Sequence, residues 1–288
     1  MATECRFGGR RKDNGNCELP DPDDGFADQS VGPWVETKHR QLTDYLAATY
    51  AVRRRYLPPA PGGAAFIDLF AGPGRVRVKD QPETGLGSAL LAAQHAEAPF
   101  TKLIFCDIDE ENVTSLRGRT AGDSRVTVLH GDCNERIEEV AVLVPSLGLN
   151  IALIDGFGAK TLKWATVERL ARFQRMDLLI HFPTNTIKRN LANPTAPGFE
   201  FVVDELVGSA EWRARVRRPR DVVELIDLLR ERLVEIGYQA DDVRSIPVEN
   251  TQGGLLYHLM FASKHSRGIE IWKSLTRHSG PQRGFDFD

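Results

Sequence analysis

Apolar residues along this chain fall into short continuous runs separated by longer amphipathic stretches. Ala64 to Leu69, Lys102 to Asp109, Arg125 to Leu129, Asn150 to Ile154 and Asp177 to Ile180 each hold a few apolar residues and close on a polar cluster. Runs of that length bounded by glycines and acids read as buried strands. From Trp34 to Leu57, Leu42, Tyr45, Leu46, Thr49 and Tyr50 recur at helical spacing before Pro58-Pro59 stops the pattern. Asp221 to Gly237 repeats the signature, with Val222, Leu225, Ile226, Leu229, Leu233 and Ile236 as the stripe, Asp221 as cap and Gly237 as stop. Asp242 to Val248 and Leu255 to Ala262 read as two further strands joined through Gly253-Gly254. Strands alternating with helices predict an open α/β sheet.

Polar chemistry gathers at the ends of these strands. The first leads into Phe66-Ile67-Asp68-Leu69-Phe70-Ala71-Gly72-Pro73-Gly74-Arg75, where two glycines leave backbone free of side chains for an adenosyl ligand to pack on. The second ends in Asp107-Ile108-Asp109, and an acid there is placed to accept ribose hydroxyls. That spacing is ordinarily about 20 residues. Here Gly74 and Asp107 are 33 positions apart, and the excess is a polar loop from Arg75 to Gly87 before a helix expected to be capped by Ser88. The remaining ends carry Asp132-Cys133, Asp155-Gly156-Phe157-Gly158 and His181-Phe182-Pro183-Thr184-Asn185. In an open α/β sheet these carboxyl ends converge on one crevice, so Asp68, Asp107, Asp132, Asp155 and His181 are candidates for a single site. Each acid alone reads equally as a helix N-cap.

In their order and combination these residues resemble the three-Cys-motif partner protein (TcmP) family within the class I S-adenosylmethionine-dependent methyltransferases. The resemblance runs from Trp34-Val35-Glu36-Thr37-Lys38 through the glycine corner, Gly87-Ser88-Ala89-Leu90-Leu91, Gly131-Asp132, Trp164-Ala165-Thr166-Val167-Glu168 and His181-Phe182-Pro183 to Phe261-Ala262-Ser263-Lys264-His265. It implies a Rossmann-like fold: a seven-stranded, mostly parallel sheet with a C-terminal antiparallel hairpin and helices on both faces. It also implies S-adenosylmethionine as cofactor. Carried over by position, Phe70, Gly72 and Gly74 meet the methionine part, with Pro73 between them, Asp107 the ribose, Ile108 the adenine face, and Asp132 with Cys133 the adenine amino group; Asp68 sits where its carboxylate takes a hydrogen bond from a bound amino group or orders the loop. Asp155 matches the position that faces the reacting centre and is a candidate cofactor contact as well; Asp155 and His181 are the candidates for acceptor positioning or proton removal, with Asn185 as hydrogen-bonding partner and Phe157 as stacking wall. The family usually has Asp-Pro-Phe-Gly at 155–158, and glycine at 156 loosens that turn, which weakens an amino-nitrogen target.

Composition narrows the rest. With 288 residues, 41% hydrophobic and 27% charged, the chain suits one catalytic domain, expected over 34–279 with a helical insertion near 186–237. A polar leader over 1–33 and a tail over 280–288 flank it. No run approaches the roughly 20 apolar residues of a membrane span, and Met1 to Asn16 lacks a signal-peptide core, so a cytoplasmic protein is expected. Four cysteines make no disulfide framework, Cys5 and Cys17 have no partners at zinc-ligand spacing, and no metal is expected. Lys38 and His39 could reach the cofactor carboxylate or the substrate, or simply form a solvated first turn. Arg213, Arg215, Arg217, Arg218 and Arg220 cluster beside Trp212 in a chain of net charge −3, either a phosphate-binding footprint or a face paired with neighbouring acids. Three functions are therefore open: methylation of a small-molecule, peptide or nucleoside acceptor, methylation of DNA or RNA, and an inactive cofactor-binding partner of another enzyme.

Overall fold

The computed structural model describes residues 10–11, 17–58, 60, 62–79, 81, 83–97, 99–156, 158–193, 195, 197–249 and 253–276. In chain order its strands are β1 (Arg10–Arg11), β2 (Cys17–Pro20), β3 (Ala27–Val31), β4 (Ala64–Asp68), β5 (Arg75–Val78), β6 (Thr84–Leu86), β7 (Lys102–Asp107), β8 (Val126–His130), β9 (Leu149–Ile154), β10 (Met176–Phe182), β11 (Val243–Glu249) and β12 (Leu255–Ala262). Seven of them build the main sheet in the order β11-β12-β10-β9-β4-β7-β8. Neighbours from β10 to β8 run parallel, and β12 runs antiparallel to both β10 and β11. This is the expected Rossmann-like arrangement with its reversed strand.

Central strands buried on both faces carry continuous apolar runs, and every residue of β4 and β9 is buried. One face packs Ala65, Ile67, Ile104 and Ile154 against the helices Cys133–Leu143, Trp164–Ala171 and Glu224–Glu235. The other packs Phe66, Phe105, Ile151 and Leu153 against the helices Trp34–Ala48, Ser88–Ala93 and Ser266–Thr276. There the rings of Phe261 and Trp272 stack 4.8 Å apart, with Tyr45 edge-on to both. The chain proceeds from β4 outward to β8, then returns across β4 to β9. Strand order therefore reverses between β4 and β9, where ligands of open α/β sheets bind.

Several boundaries differ from expectation. The helix expected over Trp34 to Leu57 ends at Ala48 and continues as Tyr50–Arg53 and a 3-10 turn, Arg54–Tyr56. The helix expected from Asp221 opens instead as a 3-10 turn at Pro219–Val223, proline fitting a first turn because it needs no amide donor there. The regular helix is Glu224–Glu235, and Gly237 lies beyond its end at φ 100°. The third strand is Val126–His130, one residue later than the pattern suggested.

The polar loop between Arg75 and Gly87 contains the β5–β6 hairpin, and part of the polar leader is ordered beside it. A second sheet has the order β1-β2-β3-β5-β6, with β3 parallel to β5. Charge pairs explain why so polar a segment is held. Arg77 donates through Nε and Nη2 to Asp28 Oδ2 at 2.8 and 2.6 Å, where burial pushes the Asp28 carboxyl up. Arg75 donates to Asp21 and Asp23. Arg119 donates to the carbonyls of Ala27 and Pro73, both at 2.7 Å, and to Asp24 at 2.8 Å. The strand pair β2–β3 is thereby fixed over the glycine corner.

Candidate active site

The corner after β4 is built on backbone that side chains rarely adopt. Gly72 and Gly74 have φ of 60° and 92°, and a Cβ on Gly74 would stand 2.9 Å from Leu116. Asp68 is fully buried beneath it, accepting from the Phe70 amide at 3.1 Å and the Ser88 hydroxyl at 2.6 Å. Burial outweighs those bonds and carries its carboxyl from the ordinary 3.8 to about 7. Ser88 is the first residue of its helix and Gly87 the N-cap, so the serine hydroxyl serves the corner instead of capping.

At the next strand end Asp107 faces inward. Its Oδ2 accepts from the Gly72 amide at 2.8 Å and its Oδ1 from the Asp109 amide at 2.9 Å and Asn112 Nδ2 at 3.1 Å. It thus ties the glycine corner to β7 and retains 9% exposure. Beside it Ile108 is 69% exposed, an apolar surface presented to solvent at the sheet's carboxyl edge. Asp132 caps the helix Cys133–Leu143 by accepting from the Asn134 amide at 2.8 Å. Cys133 and Cys106 are buried, and desolvation pushes the Cys106 thiol up to about 12, so both thiols are neutral packing groups.

Asp155 and His181 meet, as the convergence of strand ends requires. His181 Nδ1 lies 3.7 Å from Asp155 Oδ1 and has no hydrogen-bond partner among the described residues. Lys38, from the helix Trp34–Ala48, donates its ammonium to Asp155 Oδ2. The ring of Tyr257 on β12 packs edge-on against His181, centroids 4.1 Å apart. Desolvation brings His181 down to about 4 and His39 likewise, leaving both imidazoles neutral at physiological pH. Asn185 is half-buried on the helix Thr184–Leu191 and hydrogen-bonds neither Asp155 nor His181. Phe157, expected as a stacking wall, lies outside the described residues. The glycine at 156 has a packing reason: a Cβ there would stand 2.2 Å from Thr161 Oγ1 and 3.0 Å from the Phe70 ring.

Between these groups opens a cleft of about 390 Å³ lined by Gln29, Lys38, His39, Phe70, Ser88 and Asp155, among others. Its character suits the amino-acid end of S-adenosylmethionine. Bare backbone at the corner admits close approach, and the Ser88 hydroxyl lines the wall above the buried Asp68. Lys38 and Ser88 line this site: of the two readings open for Lys38 the structure has the one that reaches into the site, while Ser88 reads from sequence only as a helix cap. Lys38 and Asp155 are 117 positions apart, and no local pattern links them.

The basic cluster resolves into ion pairs. Arg213 pairs with Asp204, Arg215 with Glu231 and Arg218 with Asp221, while Arg217 donates to the Ala214 carbonyl. The side chain of Arg220 lies outside the described residues. Among the described residues no group of three or more His, Cys, Asp or Glu side chains could hold a metal, and no helix is long and apolar enough to cross a membrane.

No protein-family model matches this chain, and no curated protein matches it. Among solved structures, a Legionella pneumophila protein of family-model DUF519 is 10% identical, with 85% of this chain and 94% of that one covered at a TM-score of 0.47. The M. jannaschii protein TYW2, solved in complex with AdoMet, is 10% identical over 86% of this chain and 84% of its own, at 0.44. The methyltransferase domain of bacterial CtHen1-C is 13% identical over 78% and 100%, at 0.39. At such TM-scores the likenesses carry no weight for what this chain does, and the fold rests on its own strand order.

Proposed function

We propose that this chain is an S-adenosylmethionine-dependent methyltransferase acting on an O or N nucleophile of a small-molecule, peptide or nucleoside acceptor, and a relative of the TcmP family through the motifs quoted above. One observation carries the reading: at the point where strand order reverses, a glycine corner at positive φ opens onto a cleft lined by Lys38 and Asp155, with His181 3.7 Å behind the Asp155 carboxylate. When bound, the cofactor supplies an electrophilic methyl group on a sulfonium. The protein's task is then positioning and electrostatics. Gly72, Gly74, Asp68 and Ser88 hold the amino-acid end, and Ile108 offers a face for the adenine. Lys38 fixes Asp155 through Oδ2 and leaves Oδ1 turned toward His181. An acceptor donating a hydrogen bond to Asp155 Oδ1 is oriented there, and the neutral His181 Nδ1 beside it is free to take a proton.

Ion pairs on Arg213, Arg215 and Arg218 favour the small-acceptor reading over nucleic acid, and the meeting of Lys38, Asp155 and His181 supports turnover over a cofactor-binding partner role. A cytoplasmic location fits a protein that depends on this cofactor. Titration calorimetry with S-adenosylmethionine and S-adenosylhomocysteine tests the reading, and absence of binding to both overturns it. With a turned-over acceptor in hand, Asp155→Asn should lower kcat about a hundredfold or more while changing cofactor affinity only a few-fold; equal losses in both would remove the orienting role from Asp155.

A further inference from the structure

The second sheet has no part in the chemistry above, yet its strand β3 forms a wall of the cleft. Successive side chains on a strand point to opposite faces. Asp28 turns into the buried pair with Arg77, and Gln29 turns to the glycine corner, its Oε1 2.8 Å from where a Cβ on Gly72 would sit. No hydrogen bond among the described residues uses the Gln29 amide. The strand that carries it is fixed on both sides, since Arg119 bridges the carbonyls of Ala27 and Pro73, one on the strand and one at the corner itself.

An amino-acid end presents one cation and one anion. For the cation the corner offers the Ser88 hydroxyl and, beneath it, Asp68. For the anion, both the charged donor that lines the cleft, Lys38, and the arginines that latch β3 are already engaged. The Lys38 ammonium is held by Asp155, and Arg75, Arg77 and Arg119 are held by Asp21, Asp23, Asp24 and Asp28. His39 is held neutral by burial, so it brings no charge. Gln29 brings to this wall a side-chain amide that makes no hydrogen bond among the described residues.

We propose that Gln29 is a cofactor-binding residue whose side-chain amide donates to the carboxylate at the amino-acid end of S-adenosylmethionine. This rests on the methyltransferase reading of the cleft. It gives the polar N-terminal segment a function: strand pairing and the arginine latches carry a neutral donor to a site whose cations are committed elsewhere. A glutamine also brings no charge close to Asp155 and Lys38, so their pairing is left intact.

The test is calorimetric titration of the wild type, Gln29→Ala and Gln29→Glu with two probes, S-adenosylmethionine and 5′-methylthioadenosine, which lacks the amino-acid end. A hydrogen bond to a charged group gives an expected loss of about tenfold in S-adenosylmethionine affinity for Gln29→Ala. Gln29→Glu should lose at least as much, because it sets a carboxylate against a carboxylate, and 5′-methylthioadenosine should bind all three proteins equally. Parallel losses for both probes would overturn the proposal by making Gln29 a packing residue of the corner. Unchanged S-adenosylmethionine affinity, or tighter binding by Gln29→Glu, would overturn it as well, the latter by pointing to the ammonium as partner. A wild type that binds neither probe overturns the methyltransferase reading itself, an outcome distinct from any difference among the variants.

Discussion

Asp68→Asn isolates the electrostatic cost of the corner. The Asp68 carboxyl is fully buried, and its conjugate base has only the Phe70 amide and the Ser88 hydroxyl to replace water. Burial therefore carries it from 3.8 to about 7. In the unfolded chain the proton leaves near 3.8, and in the native state it stays until about 7, so between those values the native state binds the extra proton. Stability contributed by this group is fully present below the unfolded value and is lost as pH rises through the folded one. At about 1.4 kcal/mol per pH unit, the wild type should carry a penalty of roughly 4 kcal/mol above pH 7. Asparagine keeps both hydrogen bonds, Oδ1 accepting from Phe70 and Nδ2 donating to the serine oxygen, without a charge to desolvate. In urea unfolding, the stability of Asp68→Asn minus that of the wild type should be near zero at pH 4 and approach that penalty at pH 8. His39 and His181, depressed to about 4, lose their own contribution as pH falls below 6.5, but they do so in both proteins and cancel in the difference. A difference that is flat between pH 4 and pH 8 would refute the reasoning.

Two other substitutions probe how the cleft is assembled. Arg119→Ala removes a guanidinium that is 4% exposed and leaves Asp21 and two carbonyls without it; breaking such a buried arrangement costs about 3–5 kcal/mol, and an urea midpoint unchanged from wild type would show that the latch is not needed. Gly156→Pro drives an atom into Thr161 Oγ1, so about 1–3 kcal/mol should be lost, with partial recovery in a Thr161→Ala background; equal loss in both backgrounds would place the strain elsewhere.

The seven-stranded sheet could be read from sequence because burial on both faces leaves no freedom in residue type. Phe66-Ile67 on β4 and Ile151-Ala152-Leu153 on β9 are apolar whichever way each side chain points. The site could be read in part for a related reason, since parallel strands bring their carboxyl ends to one edge and Asp155 and His181 had to meet. The second sheet could not be read. Its strands hold Asp28, Arg75 and Arg77 at positions where a pattern of hydrophobicity expects solvent, and these are held by charge partners 49 or more positions away. The arginine cluster reversed the argument: its partners Asp204, Asp221 and Glu231 lie close in sequence, and pairing with neighbouring acids was one of the two readings open.

Distance in sequence also explains what the helix Trp34–Ala48 does for the site. It is anchored by Leu42, Tyr45 and Leu46, which bury fully against the sheet, and by the Tyr45 hydroxyl, which donates to the buried Asp177 at 2.6 Å. That anchoring lies two turns from Lys38, on the same helix, so the ammonium reaches Asp155 from a rigid element and not from a loop. Groups placed this way keep their geometry when a ligand arrives. The same logic covers Gln29, carried on a strand latched at Ala27 and paired to β5 at Val76. Gln29, Val31, Val35, Lys38 and His39 thus line the cleft from one stretch of chain, held at the strand end by arginines and at the helix end by apolar burial. A cut in that wall should weaken ligand binding even where the seven-stranded sheet stays intact.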